Sequence, residues 1–233
     1  MRIFLCCIVV LAAAAAPVRA QDSPEGWLVP FAAAYQPDVS GFNAKFKQYG
    51  IPEARARQYG WGIEIRSLVS GFLIGPLFFR TWDDTENGRF QLRTDATGIF
   101  GEAGLKLAPA KFLTIVPMLG LGGLSQSFNI RPEKTDNLKL DSLLASPGRT
   151  ATISPGMKLT GLAALELDLT AGTNTGRYGV ALRAGYMYSP FAPDWHLSNG
   201  ADIVDAPATH IGGPFFSAGI LLLPAAATAG SQP

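Results

Sequence analysis

Charge is scarce in this chain, and cysteine and histidine are scarcer still. Only 16% of its 233 residues are Asp, Glu, Lys or Arg, against roughly 25% in ordinary soluble domains, which makes a freely dissolved globular protein a poor fit. Both cysteines, Cys6 and Cys7, fall in an opening segment with a basic start at Arg2, an apolar run from Ile3 to Ala16 and small residues at Val18 and Ala20. That layout reads as a secretory signal peptide over residues 1–20, cleaved after Ala20. Residues 21–233 are then expected to form one domain with no thiol for a disulfide, a metal or a nucleophile. With His196 and His210 as its two histidines, the chain is expected to hold neither a metal site nor a cofactor. Taking Arg2 and Arg19 from the 19 basic residues leaves 17 against 18 acidic ones, so nucleic acid is excluded as a partner on charge. After the opening segment no apolar run approaches the ~20 residues of a membrane helix. A membrane could be entered only by strands.

What the chain does have is alternation, the period-2 signature of a strand with two unlike faces. Between Gly176 and Pro190 the even positions carry Tyr178, Val180, Leu182, Tyr186 and Tyr188, while the odd ones carry Arg177, Gly179, Ala181, Arg183 and Gly185. Met157–Thr170 alternates as cleanly, with Leu159, Leu165, Leu167 and Leu169 opposite Lys158, Glu166 and Asp168. The turn "TNTG", residues 173–176, makes the two a hairpin. Phe216, Ala218, Ile220 and Leu222 share a third face, Tyr59, Trp61, Ile63 and Ile65 a fourth, and Trp27, Val29, Phe31, Ala33 and Tyr35 a fifth. Three less regular segments complete eight expected strands: 70–82, apolar on both faces; 89–107, which changes phase near Gly98 and suggests a bulge there; and 111–130, rich in glycine. Short connections at 67–69, 108–110 and 173–176 alternate with longer ones at 36–58, 83–88, 131–156 and 189–211. Helical turns are expected in two of the long loops, one placing Phe42, Phe46 and Tyr49 on one face after Ser40 as N-cap, the other over 136–146. Residues 224–233 read as a flexible tail.

The content of the polar face decides which side is inside. A solvated exterior would be crowded with Lys, Glu and Thr, yet this face holds Gly60, Gly62, Gly179, Ala181 and Gly219 between a few charges. Small residues suit the crowded lumen of an eight-stranded barrel. Charges in such a lumen must pair, and the candidates are Glu64, Arg66, Glu102, Lys106, Lys158, Glu166, Asp168, Arg177 and Arg183. Glu166 and Asp168 lie one hairpin from Arg177 and Arg183. The apolar face then meets lipid, with Trp27, Tyr35, Tyr59, Trp61, Tyr178, Tyr186 and Tyr188 as membrane-interface aromatics. Tyr178 and Tyr188 are separated by about 25 Å along a barrel axis at ~3.3 Å per residue and ~40° tilt, the height of an apolar belt. In this pattern, and in its sorting of short turns from long loops, the chain resembles small outer-membrane β-barrels of the OmpA/OmpX type. The resemblance implies an all-β, eight-stranded antiparallel up-and-down transmembrane barrel in the cell outer membrane, surrounded by lipid, monomeric, and meeting an extracellular partner through its loops.

Two local motifs invite chemistry. "WHLSNG", residues 195–200, resembles the catalytic segment of the lipid A 3-O-deacylases, which implies Ser198 as nucleophile and His196 as its base. "DDTENG", residues 83–88, reads as a solvated hairpin turn on Asn87-Gly88, with loose calcium binding through its carboxylates as the alternative. The leading expectation is a barrel with a side-chain-filled lumen and a structural or surface-interaction role. A deacylase-like hydrolase and a small pore or lipid carrier are the alternatives.

Overall fold

The computed structural model describes residues 25–132, 150–173, 176–207 and 209–223, with backbone alone at 25, 172–173, 176–177 and 222–223. The expected signal peptide, the second helix over 136–146 and the tail over 224–233 lie outside the described residues. In chain order the elements are β1 (Glu25–Tyr35), α1 (Ser40–Gln48), β2 (Gln58–Val69), β3 (Phe72–Glu86), β4 (Phe90–Leu105), β5 (Leu107–Ala110), β6 (Leu113–Pro132), β7 (Ala151–Ser154), β8 (Met157–Thr173), β9 (Gly176–Tyr188), β10 (His196–Leu197) and β11 (Gly212–Leu223).

Eight strands close on themselves. β1, β2, β3, β4, β6, β8, β9 and β11 pair antiparallel in that circular order, and β11 returns to β1. Closure leaves no open edge, which is what allows strands to sit in hydrocarbon. The seam between the first and last strands is the shortest: β1 and β11 share five register pairs, from Phe31↔Gly219 to Tyr35↔Phe215, while β9 and β11 share twelve. The seam ladder stops beside Pro30, which has no N–H to give. One end of the barrel carries tight turns, including Ser70-Gly71, where both residues have positive φ (51° and 86°). The other carries α1 and the long loops. There β6 outruns the wall: after pairing with β8 from Leu113 to Ser125 it takes β7 as a partner, and β7 takes β10. A short rim sheet results.

Alternation sets which residues point inward. On β9 the even residues Tyr178, Val180, Leu182, Tyr186 and Tyr188 are exposed, whereas Ala181, Arg183 and Met187 are buried. β8, β2 and β11 behave alike, with Leu165, Leu167, Ile65 and Ile220 outward and Glu166, Glu64 and Leu221 inward. The lumen is packed rather than hollow. Toward the tight-turn end Trp27, Val29, Leu73, Val116, Met118 and Leu221 fill it; toward the loops Phe31, Leu77, Phe79, Phe100, Leu124 and Phe215 do. Glycines make room for these rings: a Cβ on Gly62 would collide with Phe31, and one on Gly98 with Phe79.

Several expectations are corrected. β1 is turned over: Trp27, Val29, Phe31 and Tyr35 are buried and Leu28 is outward at 46% exposure, so Trp27 and Tyr35 are lumen residues and not interface aromatics. Both faces of this strand are apolar or small, and alternation alone does not orient such a strand. No bulge occurs at Gly98, because the β3–β4 register runs unbroken from Phe72↔Leu105 to Glu86↔Gln91. The outward face changes character instead, from Ile99 and Leu105 to Gln91, Arg93 and Asp95. The turn expected at 67–69 falls at Ser70-Gly71, and residues 83–86 belong to β3. Helix α1 begins at Ser40 with Val39 as its cap, and Ser40 donates to Asp38 Oδ1 from its backbone N (3.0 Å) and its Oγ (2.7 Å).

Candidate functional site

A cluster of ions lies in the lumen nearer the tight-turn end. Glu64 and Arg66 are two residues apart on β2, so their side chains share the inward face. Arg66 Nε and Nη2 donate to the two carboxylate oxygens of Glu64 at 2.8 and 2.9 Å, and Nη2 also donates to Glu166 Oε2 at 2.6 Å. From β9, opposite Glu166 in register, Arg183 spans the lumen. Its Nη1 donates to both oxygens of Glu102 (3.1 and 2.9 Å), its Nη2 to Glu64 Oε2 (2.7 Å) and its Nε to Glu166 Oε2 (3.0 Å). Asp168 Oδ1 stands 3.6 Å from Arg66 Nη1. Gly120 leaves the space Glu102 occupies, since a Cβ there would come within 3.2 Å of Glu102 Cγ. Two guanidinium groups therefore face four carboxyl groups, away from solvent. Breaking one partner of such a buried set costs about 3–5 kcal/mol, and a one-residue slip of any contributing strand would turn its ion outward. The cluster fixes register as well as charge.

Three other candidates are not in this cluster. Lys106 is exposed in the turn between β4 and β5, where its backbone N donates to Gly71 O at 3.0 Å. Lys158 stands near the loop end of β8 and reaches Asp194 at 3.0 Å. The Arg177 side chain lies outside the described residues. Outside the wall, Tyr59, Trp61, Tyr178, Tyr186 and Tyr188 are 52–64% exposed. Tyr178 and Tyr188 stand at opposite ends of β9. Beyond the loop-side aromatics the exterior turns polar: Arg80 and Arg93 pair with Asp95 at 2.9 and 3.1 Å, and the Arg93 guanidinium lies 5.9 Å from the Trp82 ring. Its hydrogen bond to Asp95 holds the Arg93 pKa above the ordinary arginine value.

The loop end is closed by an aromatic plug. The i, i+4 pair Phe42 and Phe46 on α1 packs on Phe128 and Trp195, with the Phe42 ring 4.4 Å from Phe128 and 4.5 Å from Trp195. Leu92 and Val39 complete the contact. Two further contacts clasp α1 to the loop over residues 189–211. Lys45 Nζ meets Asp205 Oδ2 at 3.2 Å, and Gly41 lets Pro207 approach so closely that an added Cβ would lie 2.7 Å from Pro207 Cβ.

In that same loop His196 and Ser198 are held by the rim sheet: His196 pairs with Ser154 on β7, and Ser198 N donates to Thr152 O at 3.0 Å. The His196 partner is Asp202, Nδ1 to Oδ1 at 2.7 Å, and no hydrogen bond joins His196 to Ser198 among the described residues. Asp202 was missed by sequence reasoning, since only the turn at Gly200 brings it back to His196. Asp83 and Asp84 do not converge either, as successive strand residues point to opposite faces; Asp83 meets Arg55 at 3.2 Å and Asp84 meets Arg93 at 3.9 Å.

No protein-family model matches the chain, and no curated protein sequence matches it. Among solved structures it is similar to Ail, the attachment invasion locus protein of Yersinia pestis, at 11% identity over 86% of this chain and 100% of that one, with a TM-score of 0.49. The complex of Ail with the heparin analogue sucrose octasulfate gives 12% identity over the same shares and a TM-score of 0.44. Neisserial surface protein A, NspA, gives 9% identity over 84% of this chain and 97% of that one, with a TM-score of 0.42.

Proposed function

We propose that the protein is an integral outer-membrane barrel whose lumen is a packed, non-conducting core and whose loops carry a surface-interaction role. One observation carries the reading: Phe42, Phe46, Phe128 and Trp195 fill the mouth, each no more than 4% exposed, above a lumen already occupied by rings and paired ions. The short-turn end faces the periplasm and the long-loop end the outside, the usual sorting in such barrels. Lipid surrounds the apolar belt, and the barrel acts as a monomer. Tyr49, Phe191 and Val204 stand exposed at 71%, 53% and 99% on the loop side, apolar groups available to a partner. The purified chain in planar lipid bilayers should give no conductance above the bare membrane; stepwise channel openings would overturn the reading.

A second reading draws on the 2.7 Å contact between His196 and Asp202, which supplies an acid to orient the base in a deacylase-like hydrolase with Ser198 as nucleophile. Its test is the acylation pattern of lipid A from cells carrying wild type, His196→Ala or Ser198→Ala. Three identical patterns eliminate it.

A further inference from the structure

The ion cluster of the lumen is short of positive charge, with two guanidinium groups against four carboxyl groups. Arg66 binds Glu64 through two hydrogen bonds and Arg183 binds Glu102 through two, and each arginine also reaches Glu166 Oε2. Two carboxyl oxygens are left over. Glu166 Oε1 and Asp168 Oδ1 are shut off from solvent with no hydrogen-bond donor among the described residues, on side chains that are 1% and 8% exposed. Glu166 and Asp168 stand two residues apart on β8, so they share its inward face, and their carboxyl groups are in hydrogen-bond contact with each other. An ionised carboxylate can only accept. A hydrogen bond joins two carboxyl groups only when one of them carries a proton.

The surroundings select a proton over any larger occupant. The charged side chains facing Asp168 are Glu64 and Arg66 from β2, Glu102 from β4, Glu166 on its own strand and Arg183 from β9; the Arg177 side chain lies outside the described residues. From β1, β3, β6 and β11 come Trp27, Val29, Leu73, Val116, Met118 and Leu221, none of which titrates. A metal cation would be forced against the Arg66 guanidinium, whose Nη1 stands 3.6 Å from Asp168 Oδ1, and a water needs room that the two sealed oxygens do not offer. A proton needs neither space nor distance from arginine, and carboxyl groups crowded into one site do not both ionise. We propose that Glu166 and Asp168 hold one proton between them, donated by the Asp168 carboxyl to Glu166 Oε1, and that this internal proton-binding site ties the stability of the barrel to pH. Asp168 has the highest exposure in the cluster and lies toward the tight-turn end of β8, which makes it the member through which the proton exchanges with water.

The sign of the effect follows from linkage. The native barrel keeps a proton that the unfolded chain, whose aspartates ionise near pH ~4, has already lost, so stability falls as pH rises until the native site releases its proton too. Asp168→Asn replaces the O–H with an amide N–H that donates at every pH. The test is equilibrium urea unfolding of the full chain in lipid vesicles, wild type beside Asp168→Asn, between about pH 5 and 8. The ratio of the two unfolding constants cancels the titration of groups that both proteins share. The wild-type constant should rise relative to the variant's by up to about tenfold per pH unit, the linkage of a single proton. Infrared spectra at the acid end of the range should show the C=O stretch of a protonated carboxyl in wild type, diminished in Asp168→Asn. Asp168→Ala, which has nothing to titrate, takes over should the asparagine variant fail to insert. A ratio that stays constant across the whole range, or a protonated-carboxyl band equal in wild type and variant, overturns the proposal.

Discussion

Arg183 shows how much a single residue settles here. It reaches Glu64, Glu102 and Glu166 from three other strands, so its removal leaves Glu102 without a cation and Glu64 and Glu166 with Arg66 alone, in an interior where an uncompensated charge is costly. Arg183→Leu should lose about 3–5 kcal/mol of stability, while Leu182→Ile, a change of shape on the lipid side of the same strand, should lose less than about 1.5 kcal/mol. Equilibrium urea unfolding in lipid vesicles measures both, and equal losses would remove the ion cluster from the account. Most of this cluster was legible in the sequence, because Glu64 with Arg66, and Glu166 opposite Arg183 across a hairpin, are placed by spacing alone. Lys106 and Lys158 were not separable from them by pattern. What separates them is their nearness to strand ends, where the wall gives way to solvent.

At the scale of the strand, alternation was readable wherever the two faces differ in chemistry. β9 and β8 oriented themselves because ions occupy one face and Leu, Val and Tyr the other. β1 did not, since Leu28, Ala32 and Ala34 on one side and Trp27, Val29 and Phe31 on the other are equally at home in lipid or in a packed core. β4 misled for a different reason: its inward residues Leu92, Ala96 and Phe100 keep one phase, and it is the surroundings of its outward residues that change from lipid to water. Substitution with arginine reads that boundary directly. Leu182→Arg, midway along β9, should cost about 2–4 kcal/mol, and Thr97→Arg, on the polar outward side of β4, about 0–1 kcal/mol. Unfolding midpoints that shift equally would place the belt wrongly. The rim strands β7 and β10, four and two residues long, carry too few residues for any periodicity to reveal.

For the whole molecule, closure of eight strands around a filled centre predicts resistance to detergent that ends abruptly on heating. Unboiled samples from the outer-membrane fraction should migrate in SDS gels differently from boiled ones; a single mobility, with the protein recovered among soluble proteins, would contradict a membrane barrel. Architecture of this kind is visible in sequence because hydrocarbon outside and crowding inside impose opposite compositions on adjacent residues. The meeting of α1 with the loop over 189–211 was not visible, because its contacts join residues about 160 positions apart, as in Lys45 with Asp205, with no period to announce them.

That meeting has a mechanical consequence. Helix α1 follows β1, and the loop over 189–211 leads into β11, so the clasp straddles the one joint that pairs the two termini of the wall, the joint with only five register pairs. The outer loops act as a suture over the weakest line of the cylinder. A barrel under strain would therefore unzip from its tight-turn rim toward the loops, and shortening those loops would loosen the wall as well as alter the surface.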